Sequence, residues 1–251
     1  MENKILFLNN NIIPSFFLTK KKKTSHETLY NSDNGKLISG YIPTDNDRNY
    51  FYTHICHHTM KKSLELLLKN NNNNNNINNN NIIVETGCST HQGTKSTKLW
   101  DRFVNSYGGN VYSVDLDNKA VTLTNSVTTD KTLVTCSDSV EYLKTFTQPI
   151  DLLYLDSYDV DFSNPLPSAT HHLNEFNAVK HLLHKGSIVL IDDTPLSSDW
   201  YDDAYSIPID SPRRTNFLPE MSGKGSLVNI ELEKMNATKI LHQYQVLWVI
   251  N

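Results

Sequence analysis

The sequence predicts an α/β fold, a Rossmann-like, mostly parallel sheet with helices on both faces. Three observations carry that expectation. From residue 82 onward short apolar runs alternate with amphipathic segments, the pattern of strands buried on both faces by crossover helices. Two of the amphipathic segments stop at glycine, at Gly108-Gly109 and at Gly186. Finally, each apolar run ends in an acid, at the end of the strand where open parallel sheets bind ligands.

In chain order, Tyr50 to Lys69 reads as a helix, with Ile55, Met60, Leu64 and Leu67 near helical spacing. Asn70 to Asn81, broken only by Ile77, is a polar tract that cannot bury apolar surface, and residues 70–81 are expected to be a disordered loop. "IIVETG" is the first strand. "TKSTKLWDRFVNSYGG" is a helix with Leu99, Trp100, Phe103 and Tyr107 on one side. "VYSVDLD" and "KTLVTCSDS" are the second and third strands, and "SVEYLKTF" is a helix. "IDLLYLDSYD" is the fourth strand, "SATHHLNEFNAVKHLLHKG" a helix of about five turns, and "SIVLIDDTP" the fifth strand. "LVNIELEKM" fits helix or strand equally, and "TKILHQYQVLWVI" reads as a two-stranded hairpin.

The chain has 251 residues, room for one large domain with an extension. A net charge of −4 and a pI near 6.2 give no pull toward nucleic acid or membrane, so neither partner is expected. Three cysteines, Cys56, Cys88 and Cys136, are too few for a disulfide framework and suit a reducing, cytoplasmic compartment. The apolar run near the N-terminus is broken by Asn9 to Asn11, and Lys20 to Lys23 follow it rather than precede it, so no export signal is read.

The loop "ETGCSTHQGTKST" resembles a phosphate-binding P-loop but misses its spacing. Five residues separate Gly87 from Gly93, and Thr94 precedes Lys95, which re-aims the backbone amides. The strand ends are acidic as well: Glu85, Asp115, Asp138, Asp156 and Asp192-Asp193. A single acid there is an ordinary helix cap. Several in register suit a ligand with ribose hydroxyls and a positive centre better than a triphosphate. Asp115 is placed to accept ribose hydroxyls.

"VETGCSTHQG", "VYSVDLD", "VTCSDSVEYL", "DLLYLDSYD" and "HKGSIVLIDD" resemble, in order, the motifs of class I S-adenosylmethionine-dependent methyltransferases. The nearest likeness is to the cation-dependent O-methyltransferases of the catechol and macrocin types, over roughly residues 82–193. The resemblance implies a seven-stranded sheet of order 3-2-1-4-5-7-6 with the last strand antiparallel. It implies a methyltransferase domain, placed at 82–251; the asparagine tract sets off an N-terminal extension, 1–69, whose helix is expected to pack near the active-site mouth. It places Glu85 and Gly87 beside the methionine part of S-adenosylmethionine, Asp115 on the ribose, Asp138 and Ser139 at the adenine, and Asp156 against the cofactor.

In that strand order the fourth and fifth strands are neighbours about 4.8 Å apart, so Asp156, Asp192 and Asp193 meet at one edge. Two bare carboxylates at about 5 Å repel by roughly 3 kcal/mol at an effective dielectric of 20. A proton, an Arg or Lys, or a divalent cation offsets this, and hard oxygen ligands suit Mg²⁺. The resemblance implies a cation here that binds substrate hydroxyls and lowers their pKa. For the base, Asp159 stands where the catechol type carries lysine. His171 and His172 open the next helix; His172 shares a face with Phe176, Val179 and Leu183, so it fits a core position equally.

"HICHH" puts His54 and His58 on one helix face with Cys56 turned away, too little for a zinc site. Arg213 and Arg214 lie in the long loop after the fifth strand. The leading expectation is an O-methyltransferase for a hydroxylated small molecule, a sugar or a phenol. The alternatives are a metal-dependent glycosyltransferase built on Asp115 and Asp117, and a non-catalytic methyltransferase-like binding protein.

Overall fold

The computed structural model describes residues 54–73, 80–88, 95–198, 200 and 223–251. Helix α1 (His54–Asn73) precedes β1 (Asn81–Thr86), α2 (Lys95–Tyr107), β2 (Gly109–Asp115), α3 (Asn118–Asn125), β3 (Thr132–Cys136), α4 (Ser139–Thr145) and β4 (Ile150–Leu155). Then come α5 (Leu166–Val179), a short 3-10 turn (Lys180–Leu182), β5 (Leu183–Ile191), α6 (Ser226–Lys234), β6 (Thr238–His242) and β7 (Val246–Val249). The strands form one sheet of order β3-β2-β1-β4-β5-β7-β6. All neighbours run parallel except the β5–β7 and β7–β6 pairs.

Strand β1 lies between β2 and β4, and all six of its residues are buried. Its side chains alternate between two cores, as strand geometry requires. Ile83 joins Val111, Leu152, Tyr154 and Leu190 on the face covered by α1 and α2. Ile82 and Val84 join Leu153, Leu155 and Val189 on the face covered by α4, α5 and α6. Helix α2 contributes Leu99, Trp100, Phe103, Val104 and Tyr107, all buried, a stripe at helical spacing. Each such side chain removed from water contributes about 1.5–3 kcal/mol.

Four local readings change. Helix α1 runs four residues into the asparagine tract, because the Asn70 amide donates to the Gly186 carbonyl at 2.8 Å and docks the helix end on β5. At the other end of the tract, Asn81 is buried in β1 and donates to the Gly108 carbonyl, so only 74–79 lie outside the described residues. The long helix before the fifth strand stops at Val179; residues 180–182 tighten into the 3-10 turn, and Leu183 already pairs with Ile150. A helix missing from the sequence reading, α3, follows β2. Its threonines disfavour a helix, but the Asp117 carboxylate accepts the Lys119 N–H and caps it. The ambiguous "LVNIELEKM" is helical, with Val228 and Leu232 buried. Residues 50–53 of the expected first helix, Lys20 to Lys23, and Arg213 and Arg214 lie outside the described residues. Among the described residues no helix is long and apolar enough to cross a membrane.

Candidate active site

A cleft of about 120 Å³ opens at the carboxyl ends of β1 to β4. Gly87, Val114, Asp115, Leu116, Asp138, Ser139, Ser157, Tyr158 and His171 line it. Gly87 makes the floor possible. Its φ is +83°, and a Cβ there would lie 2.3 Å from the Asp156 carbonyl oxygen. Its N–H bonds the Val114 carbonyl at 2.8 Å, so three strand ends converge on one glycine. Gly87→Ala is expected to cost more than about 2 kcal/mol of stability or to abolish ligand binding, since both the φ and the contact forbid a side chain. Thermal unfolding and ligand titration of the variant check this.

Asp115 is oriented before any ligand arrives. Its Oδ2 accepts the Cys88 N–H at 3.0 Å and its Oδ1 accepts the Asp117 N–H at 2.8 Å. Each oxygen keeps a lone pair for a further donor. Asp138 both lines the cleft and caps α4, accepting the Glu141 N–H at 3.0 Å. The ordinary role and the functional one therefore coexist at this residue. Leu116, 76 % exposed, presents an apolar face at the cleft, and the Tyr158 and His171 rings lie 5.3 Å apart on its wall.

Glu175, which the sequence reading missed, ties this wall together from the core. It is fully buried. Its Oε1 accepts from Ser157 Oγ at 2.6 Å and lies 3.2 Å from His171 Nε2; its Oε2 accepts from Thr86 Oγ1 at 3.1 Å. Burial pushes this carboxyl up, but the His171 bond and the Ser139 and Ser157 hydroxyls outweigh it and hold it below its usual value. His171 in turn is raised, first by its bond to Glu175. The only sequence signal was an acid on the otherwise apolar face of α5.

Two sequence-assigned residues, Glu85 and His172, are fully buried away from the cleft. Glu85 is fully buried beneath it. It accepts from Thr97 Oγ1 at 2.5 Å, Ser113 Oγ at 2.7 Å and Trp100 Nε1 at 3.1 Å, and so pins α2 and β2 to β1. Any effect it has on a cofactor passes through those elements. His172 is equally buried and is not poised as a base. Its Nδ1 lies 2.7 Å from the Ser168 carbonyl, an acceptor, so Nδ1 carries the proton and Nε2 is a bare lone pair with no partner. Burial drives its pKa down to about 4, against the pull of Glu175, and Nε2 stands 3.9 Å from the Glu175 carboxylate without forming an ion pair.

That burial has a measurable consequence. A histidine whose folded pKa lies below its unfolded value of about 6.5 stabilises above that value, and the contribution is lost as pH falls toward 4. Between pH 7.5 and 5 His172 should withdraw about 2 kcal/mol. The raised His171 works in the opposite sense, and Glu175 adds its loss only below its own unfolded value. Urea unfolding of His172→Gln beside the wild type isolates the histidine's contribution: the variant should lose that much less over the same pH interval.

Asp156, Asp192 and Asp193 do come together, with one ligand oxygen from each lying within 4.8 Å of the others. Among the described residues this is the one such cluster. Tyr154 OH lies 3.0 Å from Asp192 Oδ2 and 3.2 Å from Asp156 Oδ2, Gln245 Nε2 donates to Asp192 Oδ1 at 2.9 Å, and Tyr244 OH donates to Asp193 Oδ1 at 2.5 Å. Thr59 of α1 donates to Gln245, so the N-terminal helix reaches the cluster through one amide. The sequence reading missed the cation. Lys224 Nζ lies 2.6 Å from Asp156 Oδ1 and 3.0 Å from Asp193 Oδ2, with its side chain 2 % exposed. Burial would lower its pKa, but the three carboxylates hold it well above its usual value.

Burial and the Asp192 charge raise Asp156; burial and the Asp193 charge raise Asp192. Asp193 is lowered, because Lys224 and the Tyr244 hydroxyl outweigh its burial. A divalent ion does not fit this arrangement as it stands. Mg²⁺ would need oxygens at about 2.0–2.1 Å, and the position between Asp156 and Asp193 holds an ammonium.

The remaining assignments separate cleanly. Asp159 is exposed, next to Tyr158 of the cleft wall. Asp117 caps α3 and Asp115 is turned to the Cys88 and Asp117 amides, so the pair is not presented jointly to a nucleotide-bound metal. Residues 89–94 of the first loop, and the His54 and His57 side chains, lie outside the described residues.

A family profile for a methyltransferase domain matches residues 84–194. No curated protein sequence matches the chain. Among solved structures, MycE methyltransferase from the mycinamycin biosynthetic pathway is 14 % identical with a TM-score of 0.46, covering 68 % of this chain and 44 % of its own. This chain therefore spans less than half the length of MycE. CalS11, a TDP-rhamnose 3'-O-methyltransferase of calicheamicin biosynthesis, is 16 % identical over 84 % of this chain and 88 % of its own, with a TM-score of 0.46. The N-methyltransferase NodS from Bradyrhizobium japonicum WM9 is 10 % identical over 78 % of this chain and 88 % of its own, with a TM-score of 0.47. The family match falls on β1 to β5 of a sheet ordered 3-2-1-4-5-7-6, so over residues 84–194 the chain is similar to methyltransferase domains.

Proposed function

We propose that this protein transfers the methyl group of S-adenosylmethionine to a hydroxyl of a small molecule, a sugar or a phenol. The observation that carries the reading is the adjacency of two features at one rim: the cleft with its pre-aimed Asp115, and the carboxylate cluster one residue from the cleft wall at Asp156. Asp115 would take the ribose hydroxyls, Leu116 and Ser139 would bound the adenine, and Gly87 would let the backbone approach the methionine part. The sulfonium cation prefers an acidic rim, which is what the strand ends supply.

Methyl transfer to oxygen is an in-line displacement. The acceptor oxygen forms the new C–O bond as the C–S bond breaks, S-adenosylhomocysteine leaves, and the hydroxyl proton must go to a base. Most of the acceleration comes from holding oxygen and sulfonium carbon in line. Asp159, exposed beside Tyr158, is the proposed proton acceptor in place of buried His172. The three free cysteines support a reducing, cytoplasmic setting. Calorimetry with S-adenosylmethionine and S-adenosylhomocysteine should give micromolar binding that Asp115→Ala weakens. S-adenosylhomocysteine release on a hydroxylated substrate library then reads turnover. Failure of both nucleosides to bind would end this reading.

A further inference from the structure

We propose that Lys224 is the resident cation of the cluster: its ammonium takes the place between Asp156 and Asp193 that a divalent ion would need, so the protein holds these carboxylates together without a metal. The link to methyl transfer rests on the function proposed above; the exclusion of the ion does not.

The lysine is built in rather than strayed in. Its own N–H donates to the Asp193 carbonyl at 3.1 Å, while its side chain bonds the Asp193 carboxylate, so one residue is gripped twice. Asp193 adopts φ +40°, a conformation that non-glycine residues seldom hold without cause. The flanking glycines let the two segments touch. At Gly223, φ +132°, a Cβ would lie 1.9 Å from the Asp193 carbonyl oxygen; Gly225 donates to Thr194 Oγ1 at 2.8 Å. Lys224 is also the sole lysine between Lys185 and Lys234. A lysine this deeply buried survives only when paired, and two of its three N–H donors meet carboxylates.

The substitution changes the chemistry. An ammonium carries one charge and has no open coordination position, so it cannot chelate two oxygens of a substrate as a hydrated Mg²⁺ can. The acceptor then needs one reactive hydroxyl and no neighbouring oxygen to serve as a second ligand.

The test uses Mn²⁺ alone as probe, on the full chain after treatment with chelator, read by electron paramagnetic resonance of free Mn²⁺ and by thermal unfolding. Wild type should take up no Mn²⁺ at the cluster and show no shift in Tm. Lys224→Ala should bind one Mn²⁺ at least about tenfold more tightly than wild type, gain Tm with it, and lose both on adding Asp192→Asn. Lys224→Met, which keeps the bulk, should fall short of Lys224→Ala in Mn²⁺ uptake. Stoichiometric Mn²⁺ uptake by wild type that Asp192→Asn abolishes would overturn the proposal, as would a folded Lys224→Ala that takes up none. The wild-type arm decides the question even if the lysine variants fail to fold. S-adenosylmethionine binding measured on the same wild-type sample reports separately on the proposed function.

Discussion

Asp115→Ala is expected to weaken binding of S-adenosylmethionine and S-adenosylhomocysteine by about 30- to 1,000-fold. The carboxylate has one oxygen on Cys88 N–H and the other on Asp117 N–H, which fixes its plane and leaves a lone pair on each oxygen directed to further donors. Two hydroxyl donors on a charged acceptor contribute roughly 2–4 kcal/mol together. Because the carboxylate is already anchored, little of that is lost to ordering on binding. Asp115→Asn should fall between, since one oxygen remains and the other becomes a donor facing one of the two backbone N–H groups, itself a donor. Calorimetry with S-adenosylhomocysteine gives the affinity, and unfolding in the absence of ligand separates out the part due to the two orphaned amides. Equal affinity in wild type and Asp115→Ala would remove Asp115 from the nucleoside site.

The sheet was legible because its strands are buried on both faces and therefore run apolar for several residues, as in "IIVET" and "DLLYL". The acids at their ends were legible for the same reason, as polar residues where an apolar run stops. What the sequence did not reveal was what each acid meets. Glu85 is level with Ser113, two residues short of Asp115 on the same face of the sheet; the first is covered by Thr97, Trp100 and Ser113, and the second reaches the cleft. That difference depends on depth along the strands and on partners contributed by other elements. Helix α3 was hidden because Asp117 read as half of an Asp-x-Asp pair when it is a cap. Lys224 was hidden by distance: 68 residues separate it from Asp156, and its neighbours carry no periodicity that would turn it inward.

Glu85→Leu should cost the fold about 3–5 kcal/mol, a large share of a typical domain's stability. The hydroxyls of Thr97 and Ser113 and the Trp100 indole N–H all end on this one buried carboxylate, and leucine would leave them without an acceptor. Glu85→Gln should cost about half as much, because its carbonyl oxygen can still serve part of the set. The pH dependence distinguishes a core carboxylate from one that meets a cofactor. Burial raises the Glu85 pKa above its usual value, against the opposing hydrogen bonds of Ser96, Thr97, Ser113 and Trp100. An acid with a raised folded pKa stabilises the fold fully below the unfolded value near 4.5, and that contribution is lost as pH rises through the folded pKa. Wild type thus carries a penalty at neutral pH that glutamine does not. The stability gap between wild type and Glu85→Gln should therefore be widest near pH 4 and narrow toward pH 7.5, as read by urea unfolding across that range. A gap that widens toward neutral pH would mean that the carboxylate is stabilised in its charged form by something the core does not contain.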